Sequence, residues 1–239
     1  MTDAALPLLG LIVPPRSGAV PDDGPALYGG RMRFVARGLG LGEISTRGYE
    51  QVIDHVVDLA AALAAEGARA ISLMGTSLSF FRGARFNETL EAEMARRVGL
   101  PCTTMSHAIV RGLKALGLGR VAVATAYIDE VNLRLGAYLA DSGIVATTIE
   151  GLAITGVAEV AQVSTETLVA LCEKVYRAEP QSDGILISCG GLLTLEAIAI
   201  VEARLGVPVV SSSPAGFWDL ARVAGLDSRV PGQGRLFQV

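Results

Sequence analysis

Short and nearly uninterrupted apolar runs alternate with longer segments of helical periodicity along the chain. The clearest runs are LLGLIVP (8–14), ARAISLMG (68–75), RVAVATAY (120–127) and GILISC (184–189). Strands that are buried on both faces have this character, and they occur in parallel sheets whose helical crossovers cover both faces. The sequence therefore predicts an α/β fold with mostly parallel sheets.

The segments between these runs carry the apolar spacing of helices. Helices are expected over 28–37, 49–67, 86–98, up to about 117, from about 129, from about 164, over 193–205 and over 215–224, with further short strands within 101–106, 146–150 and 208–214. The string GLGLG (38–42) does not follow the spacing of a dinucleotide-binding loop and is interpreted as a flexible loop over a cleft. Asp22–Asp23 is interpreted as a solvated turn.

The chain also repeats itself. Residues 99–119, GLPCTTMSHAIVRGLKALGLG, resemble residues 206–227, GVPVVSSSPAGFWDLARVAGLD. A repeat of this kind indicates two similar Rossmann-like lobes related by a pseudo-twofold axis. We expect residues 1–100 and 209–239 to form the first lobe, and residues 101–208 to form the second.

The ends of the apolar runs correspond between the two halves. Pro14 and Gly75 are 61 positions apart, and Tyr127 and Cys189 are 62 positions apart. Ligands of open parallel sheets bind beyond the carboxyl ends of the strands. We therefore expect PPRSG, MGTS, TAYID and SCGG to line one active-site cleft between the lobes.

Composition narrows the class of partner. Hydrophobic residues make up 51% of the chain and charged residues 18%, which excludes a disordered protein. The net charge of −4 without a basic run argues against nucleic acid and anionic membranes. No apolar stretch reaches the roughly 20 residues of a membrane span, and the N-terminus carries Asp3 instead of the positive charge of a signal peptide. A cytoplasmic protein that binds a small molecule is expected.

Cys189 stands at the end of an apolar run, just before Gly190 and Gly191. Glycines let a ligand approach the backbone, and a helix that begins directly after them lowers the pKa of a thiol. A reactive cysteine and a buried strand-end cysteine both fit this pattern. Cys102 and Cys172 fit packing roles instead.

The corresponding position in the first half is Gly75, followed by Thr76 and Ser77. Their hydroxyls can hold a carboxylate or an oxyanion, but they can equally cap a helix. Tyr127 can donate a hydrogen bond from the facing strand end or simply cover the core. His55 and His107 are not expected to join cysteines or carboxylates, so no metal site is predicted.

Several long motifs extend this pattern. LIVPP, GLGLG, SLMGTSLSF, GLPCTTMS, VAVATAYIDEVN, SCGGLLTL and GVPVVSSSPAGFWD resemble motifs of the aspartate/glutamate racemase superfamily and, within it, of the arylmalonate decarboxylases. The resemblance spans nearly the whole chain. Racemases of this superfamily carry one cysteine per lobe, whereas this chain has Gly75 in the first lobe and Cys189 in the second.

The resemblance implies a carboxy-lyase that converts α-aryl (α-alkyl) malonates, which are small dicarboxylates, into optically pure arylalkanoates. It implies a monomer that uses neither an organic cofactor nor a metal. Cys189 would protonate an enediolate intermediate. The implied dioxyanion hole consists of Thr76, Ser77, Tyr127, Gly190 and Gly191. The implied substrate pocket consists of Pro14, Pro15, Leu41, Ile44, Tyr49, Gly75, Val157 and Val160.

Other functions are compatible with parts of the pattern. Another isomerase or racemase of the superfamily, such as a maleate isomerase, would usually need the cysteine that Gly75 replaces. A non-catalytic carboxylate-binding module would use the cleft but would have no need of Cys189. A purely structural α/β domain would leave the four coincident strand ends unexplained.

Overall fold

The computed structural model describes residues 6–239. Asp3, on which the expectation about a signal peptide rested, lies outside the described residues. The strands are Leu8–Val13 (β1), Arg33–Gly38 (β2), Ile71–Leu73 (β3), Cys102–Thr104 (β4), Arg120–Thr125 (β5), Val145–Gly151 (β6), Gly184–Ser188 (β7) and Val209–Ser211 (β8).

The helices lie between and after these strands. They are Asp23–Tyr28 (α1), Thr46–Val52 (α2), Val56–Ala65 (α3), Thr76–Phe80 (α4), Ala84–Val98 (α5), Met105–Ala115 (α6), Asp129–Asp141 (α7), Val157–Val160 (α8), Thr165–Ala178 (α9), Leu195–Leu205 (α10) and Ser212–Val223 (α11). None of the helices in the described part of the chain is long and apolar enough to cross a membrane.

The strands form two four-stranded parallel sheets with equivalent orders. The first sheet has the order β2-β1-β3-β4, and the second has the order β6-β5-β7-β8. Each strand of the first sheet therefore has a counterpart four places later in the second. The predicted α/β fold of two similar lobes with parallel sheets is confirmed by this topology.

The strand pairing differs from the expected lobe limits at two places. β4 was expected in the second lobe, but Cys102 pairs with Ile71 of β3 in the first sheet. β8 was expected in the first lobe, but Val209 pairs with Ile185 of β7 in the second sheet. Each sheet is thus built from one continuous stretch of chain. The helices that follow, α6 and α11, pack on one another, and each contacts both β4 and β8.

The predicted helix over 49–67 begins earlier and is interrupted. Ser45 caps α2 by accepting a hydrogen bond from the Gly48 N–H at 3.2 Å. A 3₁₀ turn at Ile53–His55 then links α2 to α3. Gly67 adopts a positive φ of 90°, which favours glycine and turns the chain toward β3. The segment therefore forms two short helices, of which α3 packs on β1, β2 and β3 of the first sheet.

The predicted helix over 28–37 is wrong. Residues 33–38 form β2, which is an edge strand and pairs with β1 alone. Most of its residues are half-buried or exposed, because an edge strand has a neighbouring strand on one side only. RFVARG therefore lacks the continuous apolar character by which the inner strands were recognised.

An ion cluster joins α5, α6 and α11. It consists of Glu91, His107, Arg111 and Asp219. Arg111 contacts Glu91 at 3.0 Å and the buried Asp219 carboxylate at 2.7 Å. His107 lies 2.6 Å from Glu91, so the expectation that no histidine would join a carboxylate is wrong. The cluster therefore ties α5 to α6 and α11, the two helices that contact both sheets.

Candidate active site

A cavity of about 300 Å³ lies beyond the carboxyl ends of β1, β3, β5 and β7. The four strand ends therefore lie around one cavity, as the sequence predicted. The predicted site residues that line the cavity are Pro14, Pro15, Leu41, Ile44, Gly75, Thr76, Ser77, Tyr127, Val157, Val160, Cys189, Gly190 and Gly191.

Tyr49 is the predicted pocket residue that does not line the cavity. It is completely buried, and its ring packs against Phe81 with a centroid distance of 5.3 Å. Its hydroxyl lies near Ser77 and makes no hydrogen bond of good geometry within residues 6–239. Tyr49 therefore supports the cavity wall from behind instead of forming its surface.

Cys189 follows β7 directly and is 6% exposed. Its backbone N–H donates to the Ser212 hydroxyl at 3.1 Å, which ties the turn to α11. Burial raises the pKa of the thiol to about 11, although the Gly191 N–H and the Tyr127 hydroxyl act in the opposite direction. Cys189 is therefore a thiol at neutral pH.

The expected lowering of this pKa by a helix is wrong. The expectation placed a helix start directly after Gly191, but α10 begins only at Leu195. The influence of a helix dipole falls off within about one turn, so burial determines the protonation state.

The two glycines after Cys189 allow close packing of other residues on this turn. A Cβ atom on Gly190 would lie 2.8 Å from the Met105 sulfur, and one on Gly191 would lie 3.2 Å from a Val160 methyl group. Both positions therefore leave the backbone beside the cavity free of side chains.

Thr76 and Ser77 begin α4, but their side chains do not cap it. The N-cap residue is Gly75, and no side-chain cap hydrogen bond is formed there. The Thr76 hydroxyl donates instead to the Met105 sulfur at 2.8 Å. Because a thioether is a weak acceptor, this hydroxyl can turn to a stronger acceptor in the cavity.

Tyr127 contributes a buried hydroxyl from the second lobe. It is 1% exposed, and its oxygen makes no hydrogen bond of good geometry to the rest of the described chain. Burial raises the pKa of Tyr127 well above its ordinary value, and the nearby Cys189 adds to this effect. The phenol therefore stays protonated and can donate a hydrogen bond.

The GLGLG loop is attached to both lobes. The Leu41 N–H donates to the Pro14 carbonyl at 2.9 Å, and the Ile44 N–H donates to the Thr155 carbonyl at 2.9 Å. Glu43 also forms an isolated antiparallel bridge with Gly156. The predicted loop over the cleft is thus a strap with backbone hydrogen bonds at each end.

Asp23 was expected in a solvated turn, and this interpretation is wrong. It occupies the first turn of α1, is 6% exposed and lines the cavity. Burial raises the pKa of its carboxyl group, the nearby Ser213 hydroxyl opposes the rise, and the charge of Asp22 adds to it. Two adjacent acids after a proline give no sequence signal of burial, so this residue was missed.

The chain matches a known protein family over nearly its whole length. The sequence matches the family model described as arylmalonate decarboxylase over residues 9–237. The chain belongs to the arylmalonate decarboxylase family. The resemblance seen in the sequence motifs is thereby confirmed, as is the prediction of an enzyme of the carboxy-lyase class.

Individual relatives of the arylmalonate decarboxylase family are similar to this chain in sequence and in structure. The arylmalonate decarboxylase of Bordetella bronchiseptica is 58% identical over 238 residues, which cover 99% of either chain. The crystal structure of a double mutant of arylmalonate decarboxylase in a liganded form superposes with a TM-score of 0.95 at 58% identity, covering 97% of this chain and 98% of that chain. A maleate isomerase from Pseudomonas putida S16 has a TM-score of 0.91 at 22% identity, covering 97% and 98% of the two chains, and shares the fold.

The remaining cysteines of this arylmalonate decarboxylase family member lie away from the cavity lining. Cys102 and Cys172 are free and buried, and burial raises the pKa of each to about 12. Within the described residues, no three His, Cys, Asp or Glu side chains cluster to hold a metal ion. Cys189 is thus the cysteine that the fold brings to the cavity.

Proposed function

We propose that this protein decarboxylates α-aryl malonates, with or without an α-alkyl group, through an enediolate that Cys189 protonates. The observation that carries the proposal is the composition of one cavity. Hydroxyl donors from both lobes, a protonated thiol and an apolar wall all line it. No cofactor takes part in the proposed reaction.

The retained carboxylate of the substrate would bind the polar side of the cavity. Thr76, Ser77 and Tyr127 offer hydroxyl donors, and the backbone at Gly190 and Gly191 offers N–H donors. As the C–C bond to the departing carboxylate breaks, its electron pair moves into the retained carboxylate and forms an enediolate. Preorganised donors stabilise such charge by about 2.7–4 kcal/mol each in comparable sites.

The departing carboxylate would face the apolar side. Leu41, Ile44 and Val160 are buried there and offer no hydrogen bond from their side chains. A carboxylate loses hydration in such surroundings, and its conversion to neutral CO2 relieves that cost. The polar and apolar sides therefore select which of the two carboxylates leaves.

A single proton donor accounts for enantioselectivity. The S–H bond of Cys189 breaks as its proton forms a C–H bond with the α-carbon, and the resulting thiolate regains a proton from solvent. Gly75, the counterpart on the first lobe, carries no acidic group. Because protonation comes from one face, one enantiomer of the arylalkanoate is expected. Ile44 and Val160 would tune which substituents the pocket accepts.

The proposal is tested with phenylmalonate and 2-methyl-2-phenylmalonate. CO2 release and a chiral product from the second substrate are expected, with unchanged rates in EDTA. Cys189→Ala should lower kcat by at least about a hundredfold, the usual range for loss of an acid catalyst. Cys102→Ala is the matched control, since it removes a buried thiol away from the cavity.

Two outcomes would contradict the proposal. Absence of CO2 release from either malonate by the folded protein would exclude the reaction. Full activity of Cys189→Ala would exclude the role of the thiol. A carboxylate-binding module would show the first outcome together with measurable malonate affinity.

A further inference from the structure

The cavity extends beyond the four strand ends, to the segment before α1 and the first turn of α11. Ala19, Val20 and Pro21 form part of its wall in this region. Asp23 and Ser213 line the same cavity, and the proposed decarboxylation uses neither of them. Two polar side chains of the cavity are therefore left without a role.

The Ser213 hydroxyl is buried close to the Asp23 carboxyl group. Ser213 is 1% exposed, and its oxygen makes no hydrogen bond of good geometry among residues 6–239. Buried hydroxyls are nearly always hydrogen-bonded in folded proteins. Asp23 is 6% exposed, and burial raises the pKa of its carboxyl group, although the Ser213 hydroxyl opposes this rise. Both groups are available to a molecule that fills the cavity.

Close packing of α1 on α11 fixes these two side chains. A Cβ atom on Gly24 would lie 2.5 Å from the Phe217 ring, so only glycine permits this approach. Phe217 follows Ser213 by one helical turn and lies on the same face of α11. Asp23 and Ser213 are thus held beside each other by backbone packing, as a binding site requires.

We propose that Asp23 and Ser213 form a polar subsite that binds a neutral hydrogen-bonding substituent, such as a phenolic hydroxyl, on the aryl ring of the substrate. This inference rests on the proposed function. The phenol would donate to an Asp23 carboxyl oxygen and accept from the Ser213 hydroxyl. An anionic substituent, such as a ring carboxylate, would be repelled by the charge of Asp22, which also lines the cavity. The subsite therefore defines hydroxyaryl malonates as a preferred substrate class.

Kinetics with ring-substituted substrates test the subsite. We expect kcat/KM for 3-hydroxyphenylmalonate or 4-hydroxyphenylmalonate to exceed that for phenylmalonate by at least about tenfold, since sites built for a hydroxyl discriminate strongly against its absence. Ser213→Ala and Asp23→Ala should each lower this ratio by about tenfold. Ser182→Ala is the matched control, because Ser182 is buried outside the cavity lining and bonds Thr147.

Calorimetry separates the subsite from the proposed reaction, because it needs no turnover. The wild-type protein should bind 3-hydroxyphenylacetate or 4-hydroxyphenylacetate at least about tenfold more tightly than phenylacetate, by the same reasoning. Equal affinities for the three ligands would overturn the subsite. If phenylmalonate reacts but neither hydroxyl group improves kcat/KM or binding, the subsite is wrong and the decarboxylase remains. If no malonate reacts, the proposed function fails, and the calorimetry still decides the subsite.

Discussion

Raising the pH tests whether Cys189 acts as a thiol, and the structure sets the expected magnitude. Burial raises the pKa of this thiol from 9.0 to about 11. One pKa unit corresponds to about 1.4 kcal/mol, so the folded protein favours the thiol by about 3 kcal/mol relative to an exposed cysteine. At neutral pH the thiolate fraction is then about a hundredfold lower than in an unfolded chain.

Whether kcat rises or falls with pH depends on whether the thiol or the thiolate of Cys189 reacts. In the proposed mechanism the thiol is the proton donor, so kcat should stay constant from pH 7 to 9.5 and fall as the pH rises toward 11. An anionic substrate beside the sulfur opposes thiolate formation and moves the fall higher still. The same shift stabilises the folded state fully below pH 9 and is lost as the pH rises through the folded value.

Two measurements check the predicted pH dependence of Cys189. The first is kcat against pH with 2-methyl-2-phenylmalonate, with circular dichroism at each pH to show that the protein is folded. The second is the rate of alkylation of Cys189 by iodoacetamide against pH, followed by mass spectrometry. An inflection at or below pH 9 in either profile, with the fold intact, would refute the reasoning that burial controls this thiol.

Three substitutions test other features. Gly75→Cys places a Cβ atom 2.7 Å from the flexible tip of Leu78, so about 1–3 kcal/mol of overpacking is expected. It should also give exchange of the α-proton of both 2-phenylpropionate enantiomers in D2O by NMR; no exchange would contradict two facing acids. Met105→Leu removes the acceptor of the Thr76 hydroxyl and should lower kcat by less than about tenfold. A fully additive effect with Thr76→Ala would show that the sulfur does not act through this hydroxyl. Asp219→Ala breaks the ion cluster and should lower the free energy of unfolding by about 1–3 kcal/mol, which corresponds to about 2–4 °C in Tm per kcal/mol. An unchanged melting curve would show that the cluster does not stabilise the fold.

The inner strands of both sheets were predictable from the sequence because burial on both faces leaves a continuous apolar run. The edge strand β2 was not, because only one neighbour covers it and its residues mix arginine with apolar side chains. The repeat indicated two lobes, but sequence similarity between 99–119 and 206–227 cannot tell which sheet each segment joins. Hydrogen bonding to β3 and β7 decides that.

The cavity lining was largely predictable, since the carboxyl ends of parallel strands meet by geometry. Two features depend on the folded environment instead. The protonation state of Cys189 results from burial, which a strand-end position does not reveal. Asp23 becomes part of the cavity only when α1 packs on α11, two segments that are far apart in the chain.

The hydrogen bond from the Cys189 backbone to Ser212 spans 23 residues of sequence. A ribosome that has just translated Cys189 has made the cavity thiol but not α11, whose Ser212 hydroxyl anchors the Cys189 backbone. During that interval the nascent thiol keeps the acidity of an ordinary cysteine and is open to oxidants. Protection of the sulfur is therefore among the later events in the biogenesis of this enzyme.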